Sequence, residues 1–343
     1  MTSIIDISKT PNKVEFKIKN KGDFEIALIN ALRRIILVNL SSINIDRDSV
    51  IFFENSSVFC DDFLNHRLSL LPLNVEELDK MDFNNLMITC DVKNEGAEIL
   101  NVYPKDFNVM IEEKEIPLNK VFILENVIFC RLKTGQKVSF SSTLKKGTSK
   151  NESASFSLAS KVSYMFEKDE KMIKEQLSQL KTEEEKNEFL LLNQERCYAR
   201  NPDGSPSLYK FMIEGDGMVQ TKSLFKMGCD YLTNLLNEKI ELLKNPDSSD
   251  EIEIEVSKTN ITAFDIIFKD SDDTLGNLIQ TYGMKEIGIS YIGYRILHPL
   301  DRILNIRVSL DKKDFSEKDV CQKIIDILKT VLTKVLTLRK DYG

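Results

Sequence analysis

The sequence predicts an α+β chain built from two related halves, the first of them interrupted by a long β-rich insertion. Three observations carry that prediction. The chain opens with a strand followed by a strongly apolar helix; from Asp48 to about Pro206 short strand-like runs take over; and the last stretch repeats the opening order of elements.

Val14-Glu15-Phe16-Lys17-Ile18-Lys19 alternates apolar and polar residues, the pattern of a half-buried strand. After a turn at Gly22-Asp23, residues 24–40 read as a helix, with Phe24, Leu28, Ala31, Leu32, Ile35 and Val38 on one broad face. A helix this apolar is expected to be buried on more than one side. Within the insertion, Val50 to Phe53, Met87 to Val92 and Val121 to Phe129 read as strands, and the charged segment from Lys168 to Glu195 reads as solvated helix. Asn201-Pro202-Asp203-Gly204-Ser205-Pro206 is a dense turn cluster and marks a boundary.

Tyr209 to Glu214 then reads as a strand and Thr221 to Leu243 as a helix, before a polar, proline-broken linker at 246–250. Ile252 to Val256, Phe264 to Phe268, Ser290 to Ile296 and Leu304 to Leu310 follow as strands, with a short helix near Asp273. Ser316 and Asp319 form a capping-box start to a closing helix whose Val320, Ile324, Leu328, Val331 and Val335 share a face. Ala27 to Leu32 can be laid over Thr274 to Ile279, with Leu28 on Leu275 and Asn30 on Asn277. Together with the matching element order, this echo suggests two related α+β units packed against each other.

Composition narrows the function. With 47 Lys and Arg against 54 Asp and Glu, the net charge is -7, and the chain has no basic block of the kind that displaces counterions from phosphates. Protein partners are therefore expected rather than tight nucleic-acid binding. The 6 cysteines are scattered without a C-x-x-C pair, which points to buried thiols in a reducing, intracellular setting rather than to a zinc site or disulfides. No signal-peptide pattern opens the chain, and no apolar run approaches the roughly 18 residues of a membrane span.

Longer motifs carry a resemblance. Asn30-Ala31-Leu32-Arg33-Arg34-Ile35-Ile36-Leu37 resembles the first-helix motif of the bacterial RNA polymerase alpha subunit and its archaeal and eukaryotic counterparts. Val58 to Leu73, containing Asp62-Phe63-Leu64-Asn65-His66-Arg67-Leu68, is similar to a block of the archaeal D subunit and the third-largest subunit of eukaryotic polymerase II, and Phe211 to Leu243 resembles its closing strand and helix. Asp273-Thr274-Leu275-Gly276-Asn277-Leu278 and Gly293-Tyr294-Arg295-Ile296-Leu297-His298-Pro299-Leu300 instead resemble the archaeal L subunit and its small, eleventh-type eukaryotic equivalent. The resemblance thins at 74–120 and 165–205. Where the family block near Lys145 to Phe156 usually carries His-Ala, Glu152 and Ser153 precede the alanine.

The resemblance implies a non-catalytic scaffold subunit of a DNA-directed RNA polymerase, with both halves of the assembly heterodimer in one chain, as in large cytoplasmic DNA viruses. In that arrangement residues 8–47 plus 206–245 form the first dimerisation unit, 48–205 the inserted domain and 251–343 the second unit, packed as an intramolecular pseudo-dimer. The implied partners are the two largest polymerase subunits and a small accessory subunit; a homo-oligomer, a cofactor, a metal and a membrane are not expected. A viral source would place the protein in host cytoplasm and virion, any other in the nucleus.

Leu28, Asn30, Leu32, Ile35, Leu275, Gly276, Asn277, Leu278, Ile324, Leu328 and Val331 are the expected pairing residues. Gly276 is expected to let its helix approach a partner helix, and Gly293 to permit a bulge. Arg33, Arg34, His66 and Arg67 are the expected contacts to a large subunit, arginine being suited to forked bonds with carboxylates. An enzyme is disfavoured. Asp61-Asp62 and Asp272-Asp273 lack the third carboxylate a two-metal nucleotidyl-transfer site requires, and no phosphate-binding G-x-x-x-x-G-K-[ST] loop is present.

Overall fold

The computed structural model describes residues 3–112, 114–246, 249–257, 263–298, 300–312 and 314–343. In chain order its elements begin with β1 (Ile4–Thr10), β2 (Lys13–Lys19), α1 (Ile26–Val38), β3 (Ser41–Ile45), β4 (Ile51–Asn55), α2 (Asp61–Ser69), α3 (Val75–Leu78) and β5 (Leu86–Lys93). There follow β6 (Leu100–Val102), β7 (Asn108–Ile111), β8 (Lys114–Glu115), β9 (Cys130–Leu132), β10 (Lys137–Thr148), β11 (Ala159–Phe166), α4 (Glu170–Gln179) and α5 (Glu183–Leu192). The chain continues through β12 (Leu208–Gly215), α6 (Thr221–Lys244), β13 (Ile252–Val256), β14 (Phe264–Phe268), α7 (Asp273–Gly283), β15 (Ile289–Ile296), β16 (Leu304–Leu310) and α8 (Glu317–Tyr342).

Two four-stranded antiparallel sheets share one plan. The first runs β1-β2-β12-β11 and the second β13-β14-β16-β15. Numbered within each set, both have the order 1-2-4-3, and both place a helix after the second strand and another after the fourth. Period-two burial gives each sheet one wet and one dry face. Val14, Phe16 and Ile18 on β2 and Tyr209, Phe211 and Ile213 on β12 point inward, as do Leu304, Ile306 and Val308 on β16.

Helices α1 and α6 cover the first sheet, α7 and α8 the second, and the pairs meet face to face. The apolar side chains of both sheets and all four helices join in one continuous core. Leu28, Leu32, Ile35, Leu275, Leu278, Ile324, Leu328 and Val331 are all buried within it. Removing any one of these leucines or isoleucines to alanine would cost about 2–5 kcal/mol.

A second, separate core belongs to the insertion, where β3-β10-β5-β7-β8 form a sheet to which β4 adds through β10. Phe107, Phe122, Phe129 and Phe140 pack edge to face at its centre, with ring centroids 5.2 to 5.9 Å apart.

Several boundaries differ from those expected. β3, inside the expected 8–47 segment, pairs with β10 of the insertion, while β11, inside the expected 48–205 segment, pairs with β12 of the first sheet. The α4 and α5 excursion separates β11 from β12 along the chain, so their pairing has no local signature. Val121 to Phe129 is not a strand: only the bridge Leu73 to Phe122 lies there, and β9 begins at Cys130. Its residues are apolar because Val121, Phe122 and Phe129 fill the insertion core, not because they alternate on a sheet. In the linker, Asp247 and Ser248 lie outside the described residues, as does Pro299. The register shift in β15 falls between Ile289 and Tyr291 rather than at Gly293.

Candidate functional site

The junction between the two helix pairs is crossed by polar ties that the sequence did not announce. On one side α1 meets α7. Asp272 is the N-cap of α7, its carboxylate accepting the Thr274 amide at 2.9 Å, which satisfies one of the free amides of the first turn. Lys150, from the β10–β11 connection, reaches the same carboxylate at 3.1 Å. Burial works to raise the Asp272 pKa, but the Thr274 hydrogen bond and the Lys150 charge outweigh it and hold the carboxyl below its usual value. With α7 so started, the Thr274 hydroxyl accepts a 2.9 Å bond from Nε of Arg34 on α1.

Further along, the Tyr282 hydroxyl accepts the Glu25 amide at 3.3 Å, and Lys285 pairs with the Glu25 carboxylate at 2.6 Å. On the other side α6 meets α8. Arg339 on α8 grips the Asp230 carboxylate on α6 with both Nε and Nη2. Tyr342, in the last turn of α8, lies among Phe16 and Phe225 with ring centroids 5.2 and 4.9 Å away, and donates to the Lys222 carbonyl at 2.9 Å. Burial pushes its phenol up to about 12.

Glycine sets the spacing inside each unit rather than between them. A Cβ on Gly276 would lie 2.5 Å from Tyr294 and 2.7 Å from Leu304, both on strands of its own sheet. The expected role of Gly276 in approaching a partner helix is therefore corrected: it lets α7 settle onto β15 and β16. Gly228 on α6 was not anticipated, yet a Cβ there would sit 2.7 Å from Ile36 of α1. Its signal was present, since a glycine deep in a long helix costs about 1 kcal/mol and needs a packing reason.

The echoed asparagines serve their own helices. Asn30 accepts from Nε of Arg33 at 2.9 Å, and Asn277 accepts from the Thr281 hydroxyl at 3.2 Å. Both are half-buried, and each of these bonds stays within its own helix.

The four expected contact residues divide. Arg34 spends its Nε on Thr274, inside the chain. Arg67 donates to the carbonyls of Phe129 at 2.9 Å and Ile128 at 2.6 Å, anchoring α2 to the segment that leads into β9. His66 is exposed on α2, and Arg33 is half-exposed on α1. His298 accepts the Leu300 amide at 3.3 Å on Nδ1. Glu152, standing near the family's histidine position, pairs with Lys145 at 2.9 Å. Among the described residues, no group of three or more His, Cys, Asp or Glu side chains gathers to hold a metal ion, and no helix is long and apolar enough to cross a membrane.

Residues 263–338, which run from β14 into α8, match the RNA polymerase Rpb3/Rpb11 dimerisation domain. DNA-directed RNA polymerase subunit Rpo3 of Pyrococcus furiosus is 28% identical over 150 residues, covering 42% of this chain and 52% of that protein. DNA-directed RNA polymerase II subunit rpb3 of Dictyostelium discoideum is 25% identical over 225 residues, covering 59% of this chain and 73% of its own length. Subunit 3 of polymerases II, IV and V of Arabidopsis thaliana is 24% identical over 205 residues, covering 52% and 61%. The chain spans about half the length of the archaeal relatives it matches.

Proposed function

We propose that this chain, whose homologues are the Rpb3 and Rpo3 subunits of DNA-directed RNA polymerase, is a non-catalytic assembly platform carrying both halves of the pairing unit in one polypeptide. The observation that carries the reading is the repeated plan: two sheets of identical strand order, each with two helices, packed helix to helix around one core. In this reading β1, β2, α1, β11, β12 and α6 are the first dimerisation unit, and β13 to α8 the second, forming an intramolecular pseudo-dimer. A short connection at 246–250 raises the effective concentration of one unit beside the other to millimolar levels. The pairing face is then filled from within, which leaves no vacancy for a second copy of the chain.

The proposed partners are the two largest polymerase subunits and a small accessory subunit, and the source we favour is a large cytoplasmic DNA virus. Support for protein rather than nucleic-acid partners comes from the net charge of -7. Of the four expected contact residues, Arg33 and His66 are the ones we assign to a large subunit: His66 is exposed and the Arg33 bond to Asn30 stays within α1, whereas Arg34 and Arg67 are tied to other segments of the chain. The test is co-expression of the tagged Arg33→Glu, His66→Glu double variant with the two largest subunits. Loss of at least one of them, with the variant's melting temperature unchanged, is expected; full recovery of both would reject the assignment.

A further inference from the structure

The insertion displays a groove that the pairing of the two units does not use. It lies between the start of α2 and the β6–β9 ribbon and encloses about 510 Å³. Its wall is apolar: Val58 is 70% exposed, Ile99 61%, and Phe59 stacks on Phe63 with ring centroids 4.5 Å apart. Its charged lining residues are Arg67, Arg131 and Lys133, with no carboxylate among them, in a chain whose net charge is -7. Arg67 is held in place by two backbone carbonyls, and among the described residues Arg131 and Lys133 form no ion pair. Apolar side chains this exposed together, rimmed by one sign of charge, mark an interaction surface.

Spacing specifies the occupant. Arg131 lies on β9 and Lys133 directly follows it, while the intervening Leu132 is buried, so both cations stand on the outer side of the ribbon. Residues two apart on extended backbone are separated by ~6.6 Å, and alternate side chains of an extended partner share that repeat.

We propose that this groove takes an extended polypeptide segment of a partner protein carrying two acidic residues at alternate positions, with a large apolar side chain on the same face. The carboxylates meet Arg131 and Lys133, and the apolar anchor fills the space between Val58, Phe59 and Ile99. Charge complementarity selects an acidic segment, and the apolar wall favours a peptide over the phosphate backbone of a nucleic acid. This surface is separate from the junction of the two units and does not depend on the polymerase reading.

The test pans a phage-displayed library of random 12-residue peptides against the full chain, with counter-selection on the Arg131→Glu, Lys133→Glu variant. Both side chains are exposed and unpaired, so the variant is expected to fold as the parent does. Enriched peptides should carry acidic residues two apart with an aromatic or aliphatic neighbour, bind the parent at least tenfold more tightly than the variant, and weaken with salt. Ile99→Ser should weaken them as well. Failure to enrich any peptide, enrichment of peptides without the acidic pair, equal binding to parent and variant, or full displacement by a single-stranded oligonucleotide would each overturn the proposal.

Discussion

Nε of Arg34 on α1 donates to the hydroxyl of Thr274 on α7 at 2.9 Å, tying the helix of one sheet to the helix of the other. The acceptor is held by the first turn of α7, which Asp272 caps and Lys150 of the β10–β11 connection braces. Three parts of the chain therefore meet at this bond: the first sheet's helix, the second sheet's helix and the segment leaving the insertion.

Because the bond involves a charged donor in a half-buried place, its loss should be measurable. Arg34→Met and Thr274→Val should each lower stability by about 1–2 kcal/mol, read from urea midpoints. A double-mutant cycle should give a coupling of about 1 kcal/mol. Strict additivity would mean the bond contributes nothing.

Gly228 permits the close approach of α6 to α1. Gly228→Ala places a methyl group 2.7 Å from Ile36, and the gain in helix propensity is smaller than the overpacking it causes. We expect a loss of about 1–3 kcal/mol, smaller in an Ile36→Ala background, where the Cγ1 that the methyl would meet is gone. An increase in stability on Gly228→Ala alone would show that the helices separate freely.

Tyr342 supplies a pH signature. Its phenol is pushed up to about 12 in the folded chain by burial, against about 10 for a free tyrosine. The unfolded chain therefore loses this proton first as pH rises, so the contribution of Tyr342 is fully present below pH ~10 and is lost as pH climbs towards 12. Tyr342→Phe removes the bond to the Lys222 carbonyl, costing about 1 kcal/mol at neutral pH. That deficit should shrink between pH ~10 and 12, as read from urea midpoints across the range.

The thiols should divide by exposure. Cys60 is exposed, whereas Cys90, Cys130 and Cys229 are buried, and burial pushes each of these three up to about 12. One thiol should therefore react quickly with a disulfide reagent at pH 8, and Cys60→Ser should abolish that fast phase. The buried thiols should follow only as the chain opens.

Much of the helix and strand content was legible in the sequence because alternation and helical spacing are local. Val14, Phe16 and Ile18 announce β2, and Ser316 with Asp319 announces the start of α8. What was not legible is non-local. β11 was assigned to the insertion because its partner β12 lies beyond the α4 and α5 excursion, and no short-range pattern joins them. Val121 to Phe129 read as a strand because an apolar run does not say whether it pairs or merely fills a core.

The same limit applies to the junction. Leu28 and Leu328 are identifiable from helical spacing and Leu275 from its match to Leu28, and all three are buried. That Arg34 would turn to Thr274, or that Asp230 would meet Arg339, depends on how the helix pairs face each other, which nothing within either helix encodes.

An assembly platform should travel with its polymerase, so the decisive experiment is purification of the tagged protein from its native source under low salt. Mass spectrometry of the eluted complex should find the two largest RNA polymerase subunits in stoichiometric amounts with this chain. Recovery of the chain free of polymerase subunits, or as a homo-oligomer, would contradict it.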